Sequence, residues 1–241
     1  MIKMKRMLTI LLVMGMLFSM ASCGSASSVA SQPVEEAAKE TMVSQAVDTS
    51  HVKSEILAQN QAGEKASGSN TLVIYFSRAG EQYNVGVIEK GNTAIVAEMI
   101  AETTGADLYE VIPADDHYPT TYKELTDVGI QEQRERARPA IGGELPDISG
   151  YDTVFVGAPV WWGDWPMIMY TLFESVDLNG KTLIPFSTHG GSGLSGFDRS
   201  LGAAFPNSEV LKGLAITGTD AQNKQDDVKT RVQKWITELG V

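Results

Sequence analysis

The sequence predicts an α/β fold over residues 71–241, a doubly wound parallel sheet of five strands flanked by helices. Two observations predict it: short, continuously apolar runs recur along this region, and helical patterns lie between them. Such runs suit strands buried on both faces, and alternation with helices implies right-handed βαβ units. Ligands of such folds bind at the carboxyl ends of the strands, so we expect a site in the loops after strands one, three and four.

The predicted strands are the five apolar runs themselves. In chain order they are Leu72 to Phe76, Leu108 to Ile112, Thr153 to Val156, Thr182 to Phe186 and Leu214 to Thr217.

Two of the intervening helices show a clear apolar stripe. The first stripe ends before Gly105, which is placed as a helix C-cap glycine. It consists of Ile95, Val96, Met99 and Ile100. The stripe of the last helix consists of Val228, Val232, Trp235, Ile236 and Leu239.

Residues 1–23 are predicted to be a lipoprotein-type secretory signal. A positively charged start precedes an uncharged apolar stretch, Met7 to Met20, and small residues lead to Cys23. Cys23 is the only cysteine, so no disulfide can form within the chain. Met20-Ala21-Ser22-Cys23 resembles the lipobox of bacterial lipoproteins, which implies lipidation of Cys23 and an extracytoplasmic, membrane-anchored protein. The alternative is a plain cleaved signal and a secreted protein.

Residues 24–70 are predicted to be a flexible tether. They contain no aromatic residue and are rich in Ser, Ala, Glu and Gln, so they cannot bury enough apolar surface to offset the loss of chain entropy. The formal net charge of the whole chain is −11, which argues against a nucleic-acid partner. No apolar run reaches the roughly 20 residues that cross a bilayer.

The loop after the first strand has the composition of an anion site. It begins Ser77-Arg78-Ala79-Gly80, is interrupted by an insertion from Glu81 to Lys90, and resumes as Gly91-Asn92-Thr93 before the first helix. Unpaired N–H groups and the helix dipole favour a phosphate at such a place. The alternative is ordinary N-capping by Asn92 or Thr93.

The loop after the third strand, Gly157 to Pro166, contains three tryptophans. They favour contacts with a large flat aromatic ligand. The alternative is packing under the third helix, for which Trp165 is the best candidate because Pro166 marks the helix start.

The loop after the fourth strand is rich in glycine, from Ser187 to Gly193. Glycines allow the backbone to approach a ligand closely, and their N–H groups can donate to it. His189 in this loop is a candidate catalytic residue that would stabilise charge or donate a proton. The alternatives are a flexible surface turn for the loop and a hydrogen-bonded loop residue for His189.

These loops resemble those of the flavodoxin-like family, in a subfamily with an interrupted phosphate loop, and the resemblance implies FMN as cofactor. It implies a phosphate loop formed by Ser77, Arg78, Ala79, Gly91, Asn92 and Thr93, and the alternative for Arg78 is a side chain that faces solvent. It implies ring contacts from Pro159, Val160, Trp161 and Trp162. It implies a second flavin loop formed by Thr188, His189, Gly190, Gly191, Ser192 and Gly193.

The resemblance implies an FMN-dependent oxidoreductase, reduced by a nicotinamide or a quinol, that passes electrons to a small acceptor such as a quinone. One alternative is an electron carrier that docks on a redox-protein partner, and another is a tethered binding module without FMN. Tyr83 in the insertion is positioned to cover the flavin or its channel. No metal site is predicted, because the sequence around His117 and its neighbouring aspartates indicates a solvated acidic turn.

Overall fold

The computed structural model describes residues 70–241. The strands are β1 (Thr71–Tyr75), β2 (Gly80–Gln82), β3 (Gly86–Ile88), β4 (Asp107–Glu110), β5 (Thr153–Pro159), β6 (Thr182–His189), β7 (Glu209–Val210) and β8 (Leu214–Thr217). The helices are α1 (Asn92–Thr104), α2 (Tyr122–Glu135), α3 (Met167–Ser175), α4 (Phe197–Ala204), α5 (Gly218–Asn223) and α6 (Gln225–Leu239). The predicted signal with Cys23, and the tether up to residue 69, lie outside the described residues.

The main sheet has the order β4-β1-β5-β6, with β7 and β8 both pairing the far edge of β6. Every pairing in it is parallel. This confirms the predicted doubly wound α/β fold. The chain order reverses between β1 and β5, so the carboxyl ends of these two strands form the switch point at which such folds bind ligands.

The predicted fifth strand is present as β8, but a two-residue strand, β7, precedes it on the same edge of β6. Proline explains the gap between the two. The Leu183 carbonyl accepts from the Leu211 N–H at 2.9 Å, so Pro185, two residues further along β6, turns its nitrogen to the same edge. A proline nitrogen has no hydrogen to donate, and the pairing resumes only at Phe186.

Side chains alternate between two hydrophobic clusters, one on each face of the sheet. In β1 and just after it, Leu72, Ile74 and Phe76 join the cluster under α3 and α4. Val73 and Tyr75 join the cluster under α1 and α6. Because both faces of the sheet are buried, each strand has a continuous apolar sequence. This continuity made the strands predictable.

The two predicted helical stripes are confirmed. Ile95, Val96, Met99 and Ile100 are buried in α1. Val228, Val232, Trp235 and Ile236 are buried in α6, and Leu239 is only partly buried against the same cluster. Gly105 ends α1 in the left-handed conformation, with φ 70°, and donates its N–H to the Ala101 carbonyl at 2.8 Å.

The insertion from Glu81 to Lys90 forms most of an antiparallel hairpin, β2–β3. The hairpin is fixed to the start of α2 by two hydrogen bonds. The Glu81 N–H donates to the Thr120 carbonyl at 2.7 Å, and the Tyr122 N–H donates to Glu81 Oε2 at 2.8 Å. Tyr83 therefore lies at the tip of a docked hairpin. None of the helices formed by residues 70–241 has the length and apolarity to span a bilayer.

Candidate functional site

A cleft of about 230 Å³ opens at the carboxyl edge of the sheet. Predicted site residues from all three loops line it: Asn92, Pro159, Val160, Trp161, Trp162, Thr188, His189 and Gly190. The other predicted residues lie in the same loops but outside the cavity wall: Ser77, Arg78, Ala79, Gly91, Thr93, Gly191, Ser192 and Gly193. The topology thus brings together loops that are distant in sequence.

The phosphate loop is closed by a contact across the insertion. Gly91 is the N-cap of α1, and Ser77 Oγ accepts the Ala94 N–H at 3.0 Å. A Cβ at Gly91 would collide with Ser77 Oγ and lie 2.7 Å from the Arg78 carbonyl oxygen. The side chains of Asn92 and Thr93 therefore do not cap α1. The Ser77 hydroxyl caps it instead, although Ser77 precedes the helix by 15 residues.

The side chains of Asn92 and Thr93 connect the phosphate loop to its neighbours. Thr93 Oγ1 lies 2.7 Å from Thr188 Oγ1, and both residues are buried. Asn92 Oδ1 accepts from Gln222 Nε2 at 2.9 Å. Gly218 makes room for this amide, since a Cβ there would lie 2.6 Å from Asn92 Nδ2. The start of α1 is thereby tied to β6 and α5.

Arg78 turns inward, so the expectation that it faces solvent is wrong. Its side chain is only 15% exposed, and Nη1 bonds Asp116 Oδ1 at 2.7 Å. Its Nη2 donates to the Tyr118 carbonyl at 2.7 Å. The guanidinium thus anchors the loop between β4 and α2 beside the phosphate loop.

The tryptophan loop makes a tight turn from Trp161 to Asp164. The two residues exchange backbone hydrogen bonds of 3.0 Å, and both central residues, Trp162 and Gly163, have positive φ. This pattern is typical of a type I′ turn.

Trp161 and Trp162 form a wall of the cleft over α2. The Trp161 ring meets Phe76 and Tyr118 edge-on, with centroids 5.6 Å and 5.3 Å away. Trp162 is 55% exposed and donates its Nε1 hydrogen to the Thr126 carbonyl at 2.9 Å. Both indoles lie over Gly129, whose missing side chain lets them approach the helix.

Trp165 belongs to the core rather than to the cleft. It is 1% exposed and stacks on Phe197 with a centroid distance of 3.5 Å and an angle of 11°. Its ring also meets Phe173 of α3 edge-on. The prediction that Trp165 packs under the third helix is confirmed.

The glycine-rich loop leaves β6 in unusual backbone conformations. Gly191 and Gly193 have φ of 148° and 64°, which favour glycine. The loop is held by the Ser187 hydroxyl, which donates to the Gly193 carbonyl at 3.0 Å. Across the cleft edge, the Val160 N–H donates to the Thr188 carbonyl at 2.8 Å, which joins this loop to the tryptophan loop.

His189 is held as a neutral imidazole. Its Nδ1 accepts the Gly191 N–H at 2.9 Å, so the proton of the neutral ring resides on Nε2. Burial lowers the pKa of His189, Arg231 lowers it further, and Asp220 opposes the shift. His189 can therefore donate a hydrogen bond from Nε2 at neutral pH without carrying charge.

His117 belongs to a network behind the tryptophan wall. It lies in the loop between β4 and α2, as predicted, but its Nε2 lies 3.0 Å from Oε1 of buried Glu132. The Tyr118 hydroxyl donates to Glu132 Oε2 at 3.2 Å. The hydrogen bond to Glu132 raises the pKa of His117. Residues 70–241 contain no group of three or more side chains placed to hold a metal ion.

Some cleft residues were not identified from the sequence. One face of α2 supplies Tyr122, Leu125, Thr126 and Gly129. Their spacing is that of a helical face, and this signal was available. Gly218 follows the carboxyl end of β8 and could have been found by applying the strand-end rule to the fifth strand.

Comparison with known proteins places these features in a family. The model of the family described as Flavodoxin matches residues 70–238. A protein from Bacteroides uniformis that is assigned as a flavoprotein has a solved structure 30% identical to this chain. It aligns with a TM-score of 0.55 over 71% of this chain and 99% of that one. No curated protein matches the chain.

Two further solved structures align over nearly their whole length. One, from Bacteroides eggerthii and likewise assigned as a flavoprotein, is 28% identical with a TM-score of 0.54, covering 72% of this chain and 99% of that one. The other is a flavoprotein from Lactobacillus acidophilus in complex with FMN. It is 19% identical with a TM-score of 0.50, covering 66% of this chain and 98% of that one. Because its sequence identity is only 19%, the similarity to the L. acidophilus protein concerns the fold alone.

Proposed function

This chain belongs to the flavodoxin family, and we propose that its cleft binds FMN and that the protein is an oxidoreductase acting on a small acceptor such as a quinone. One observation carries the proposal. The loops after β1, β5 and β6 converge on one cleft, and each supplies the kind of group that one part of FMN requires. The matched family supports FMN as the cofactor.

The start of α1 fits a phosphate. N–H groups of the first helical turn have no partner within the helix, and the helix dipole is positive there. Ser77, Asn92 and Thr93 add hydroxyl and amide groups at this point. Gly91 has no side chain, which lets it lie directly against Ser77 Oγ and the Arg78 carbonyl at the start of α1. These residues would hold the phosphate, whereas Arg78 is bonded to Asp116 and Tyr118.

The tryptophan loop and the glycine-rich loop fit the flavin ring. Pro159, Val160, Trp161 and Trp162 offer apolar and aromatic surface. The backbone N–H groups of Gly190, Ser192 and Gly193 and Nε2 of His189 are the proposed donors for the polar edge of the ring, since the Gly191 N–H already bonds His189 Nδ1. When bound, FMN would supply the transfer of electrons between a reduced nicotinamide and the acceptor. Donors at the polar edge favour the negative charge of the reduced ring.

The proposal is tested with residues 70–241, the region that the flavodoxin model matches up to residue 238. Both hydrophobic clusters lie within it, and the B. uniformis structure is matched over 99% of its length. We expect FMN-loaded protein to oxidise NADH or NADPH continuously when a quinone is present. The matched control is the Val87→Ala variant, which alters an 82% exposed hairpin residue outside the cleft and should turn over normally.

Two outcomes would replace the proposed activity. Absence of turnover with small quinones, together with electron transfer to a redox protein, would identify an electron carrier. Absence of FMN binding would leave a binding module that has lost the cofactor. These outcomes are separable, because FMN binding is measured before any substrate is added.

We also propose that Cys23 is lipidated and holds the domain at the outer side of the bacterial cytoplasmic membrane. The support is the sequence Met20-Ala21-Ser22-Cys23 at the end of an apolar stretch. Two or more acyl chains give stable anchoring, at about 0.8 kcal/mol for each buried CH₂.

A further inference from the structure

One part of the cleft is not explained by the loops proposed to hold FMN. Its residues come from the β2–β3 hairpin and from one face of α2. They are Gln82, Tyr83, Tyr122, Leu125, Thr126 and Gly129. The hairpin is docked on α2 through Glu81 and Thr120, so the two elements form one continuous wall.

Two tyrosines dominate the wall. The rings of Tyr83 and Tyr122 have centroids 5.6 Å apart and planes inclined by 35°. They are 52% and 36% exposed, although both are large aromatic side chains inside a cleft. Partly exposed aromatic rings that face a cavity are typical of a surface for a flat ligand.

Tyr83 also connects this wall to the glycine-rich loop. Its ring lies directly on Gly190, where an added Cβ would come within 2.6 Å of Tyr83 Cδ1. A side chain at position 190 would therefore push the tyrosine away from the cleft. Glycine at this position lets the hairpin approach the loop that is proposed to hold the polar edge of the flavin.

The cleft carries no formal charge on its walls. No Asp, Glu, Lys or Arg side chain lines it among residues 70–241. His189 is neutral because burial and Arg231 lower its pKa. Burial and the neighbouring Tyr83 raise the pKa of Tyr122, so that phenol is also neutral. An anionic ligand on the wall formed by the hairpin and α2 would meet only neutral side chains and would leave its charge without an ionic partner, which is unfavourable.

We infer that Tyr83 and Tyr122 form an aromatic subsite for a planar, uncharged acceptor of the quinone class, adjacent to Gly190. The inference rests on the proposed function and specifies its acceptor. In the balanced reaction, a reduced nicotinamide gives up a hydride and becomes oxidised. The quinone gains these two electrons and two protons, one from the hydride and one from solvent, and leaves as the hydroquinone.

Equilibrium dialysis of 1,4-naphthoquinone against FMN-loaded residues 70–241 tests the subsite by binding rather than by turnover. We expect Tyr83→Ala and Tyr122→Ala to weaken naphthoquinone binding roughly fivefold to tenfold, the loss typical of an aromatic pair. The Tyr83→Phe variant keeps the ring and should bind like the unaltered protein. So should Val87→Ala, on the same hairpin but outside the cleft. 1,4-Naphthoquinone-2-sulfonate, measured in high salt, should bind more weakly than the neutral compound.

The same variants are titrated with FMN to separate the subsite from the cofactor site. We expect FMN affinity to change less than about twofold in both alanine variants. Unchanged naphthoquinone binding, or a loss of FMN affinity alone, would overturn the subsite and assign the tyrosines to structure or to the cofactor. If the unaltered protein binds no FMN, the proposed function fails, whereas dialysis with FMN-free protein still decides whether the tyrosines bind the quinone.

Discussion

Thr93 Oγ1 lies 2.7 Å from Thr188 Oγ1, a buried hydrogen bond between the start of α1 and the carboxyl end of β6. The two residues are 95 positions apart, and each belongs to a loop proposed to hold FMN. This bond fixes the distance between the phosphate loop and the glycine-rich loop. It therefore links two of the loops proposed to hold the cofactor.

Replacing either threonine by valine should destabilise the protein. Each single variant leaves a buried hydroxyl without its partner, a loss of about 1–3 kcal/mol in the free energy of unfolding. The double variant has no orphaned hydroxyl, so its loss should be smaller than the sum of the single losses. Urea unfolding of the four proteins measures this. Strictly additive losses would show that the hydroxyls do not interact.

The two tryptophans at positions 162 and 165 should separate stability from binding. Trp165→Ala removes a ring stacked in the core and should lower the free energy of unfolding by about 3–5 kcal/mol. Trp162→Ala removes a half-exposed ring and should lower it by less than about 1 kcal/mol. It should nevertheless weaken FMN binding about tenfold, or about 1.4 kcal/mol. Unfolding and FMN titrations of both variants check this, and normal FMN affinity in Trp162→Ala would remove that residue from the site.

The pKa values of the two histidines of residues 70–241 should lie on opposite sides of the ordinary value of about 6.5. Burial lowers the pKa of His189 in the folded protein, so the unfolded chain takes up a proton more readily. The free energy of unfolding should therefore decrease as pH falls below about 6.5. The bond to Glu132 raises the pKa of His117, so its contribution is present below about 6.5 and is lost as pH rises above that value. NMR titration of the ring protons measures both values directly.

FMN affinity should depend on the protonation state of His189. A protonated Nδ1 cannot accept the Gly191 N–H, so the glycine-rich loop loses the bond that shapes it. We expect affinity to fall as pH decreases below about 6.5. His189→Gln should lack this pH dependence, whereas His117→Gln should keep it. Identical pH profiles for the two variants would dissociate the loop bond from FMN binding.

Cys23 should carry lipid when the full chain is produced in a bacterial host. Labelled palmitate is expected to enter the protein and to move it to the membrane fraction. Cys23→Ser removes the only thiol and should abolish both. Equal labelling of the serine variant, or a soluble unaltered protein, would favour a plain cleaved signal.

Features with a regular pattern were predictable from the sequence. The strands and the apolar stripes of α1 and α6 follow from burial on both faces of the sheet. The separate roles of Trp165 and its neighbours followed from Pro166, which marks the start of the third helix. In each case a local signal and the tertiary structure agree.

Other features depend on tertiary contacts that no local pattern encodes. The inward course of Arg78 depends on Asp116 and the Tyr118 carbonyl, which are about 40 residues away. The capping of α1 by Ser77 depends on the hairpin that brings the two halves of the loop together. The splitting of the fifth strand depends on the side of β6 to which Pro185 turns its nitrogen. The wall of Tyr83 and Tyr122 depends on how the inserted hairpin docks.

The central claim is that the phosphate loop and the flavin loops form an FMN site, and titration of FMN fluorescence with residues 70–241 tests it most directly. We predict saturation at one FMN per chain and a visible spectrum shifted by the protein. Gly91→Ala places a methyl group against Ser77 Oγ and should weaken binding at least about tenfold, or about 1.4 kcal/mol. Gly202→Ala, whose Cβ would come no closer than 3.8 Å to Val210, is the matched control and should bind normally. No saturable binding by the unaltered protein, or equal binding by Gly91→Ala and Gly202→Ala, would contradict the account.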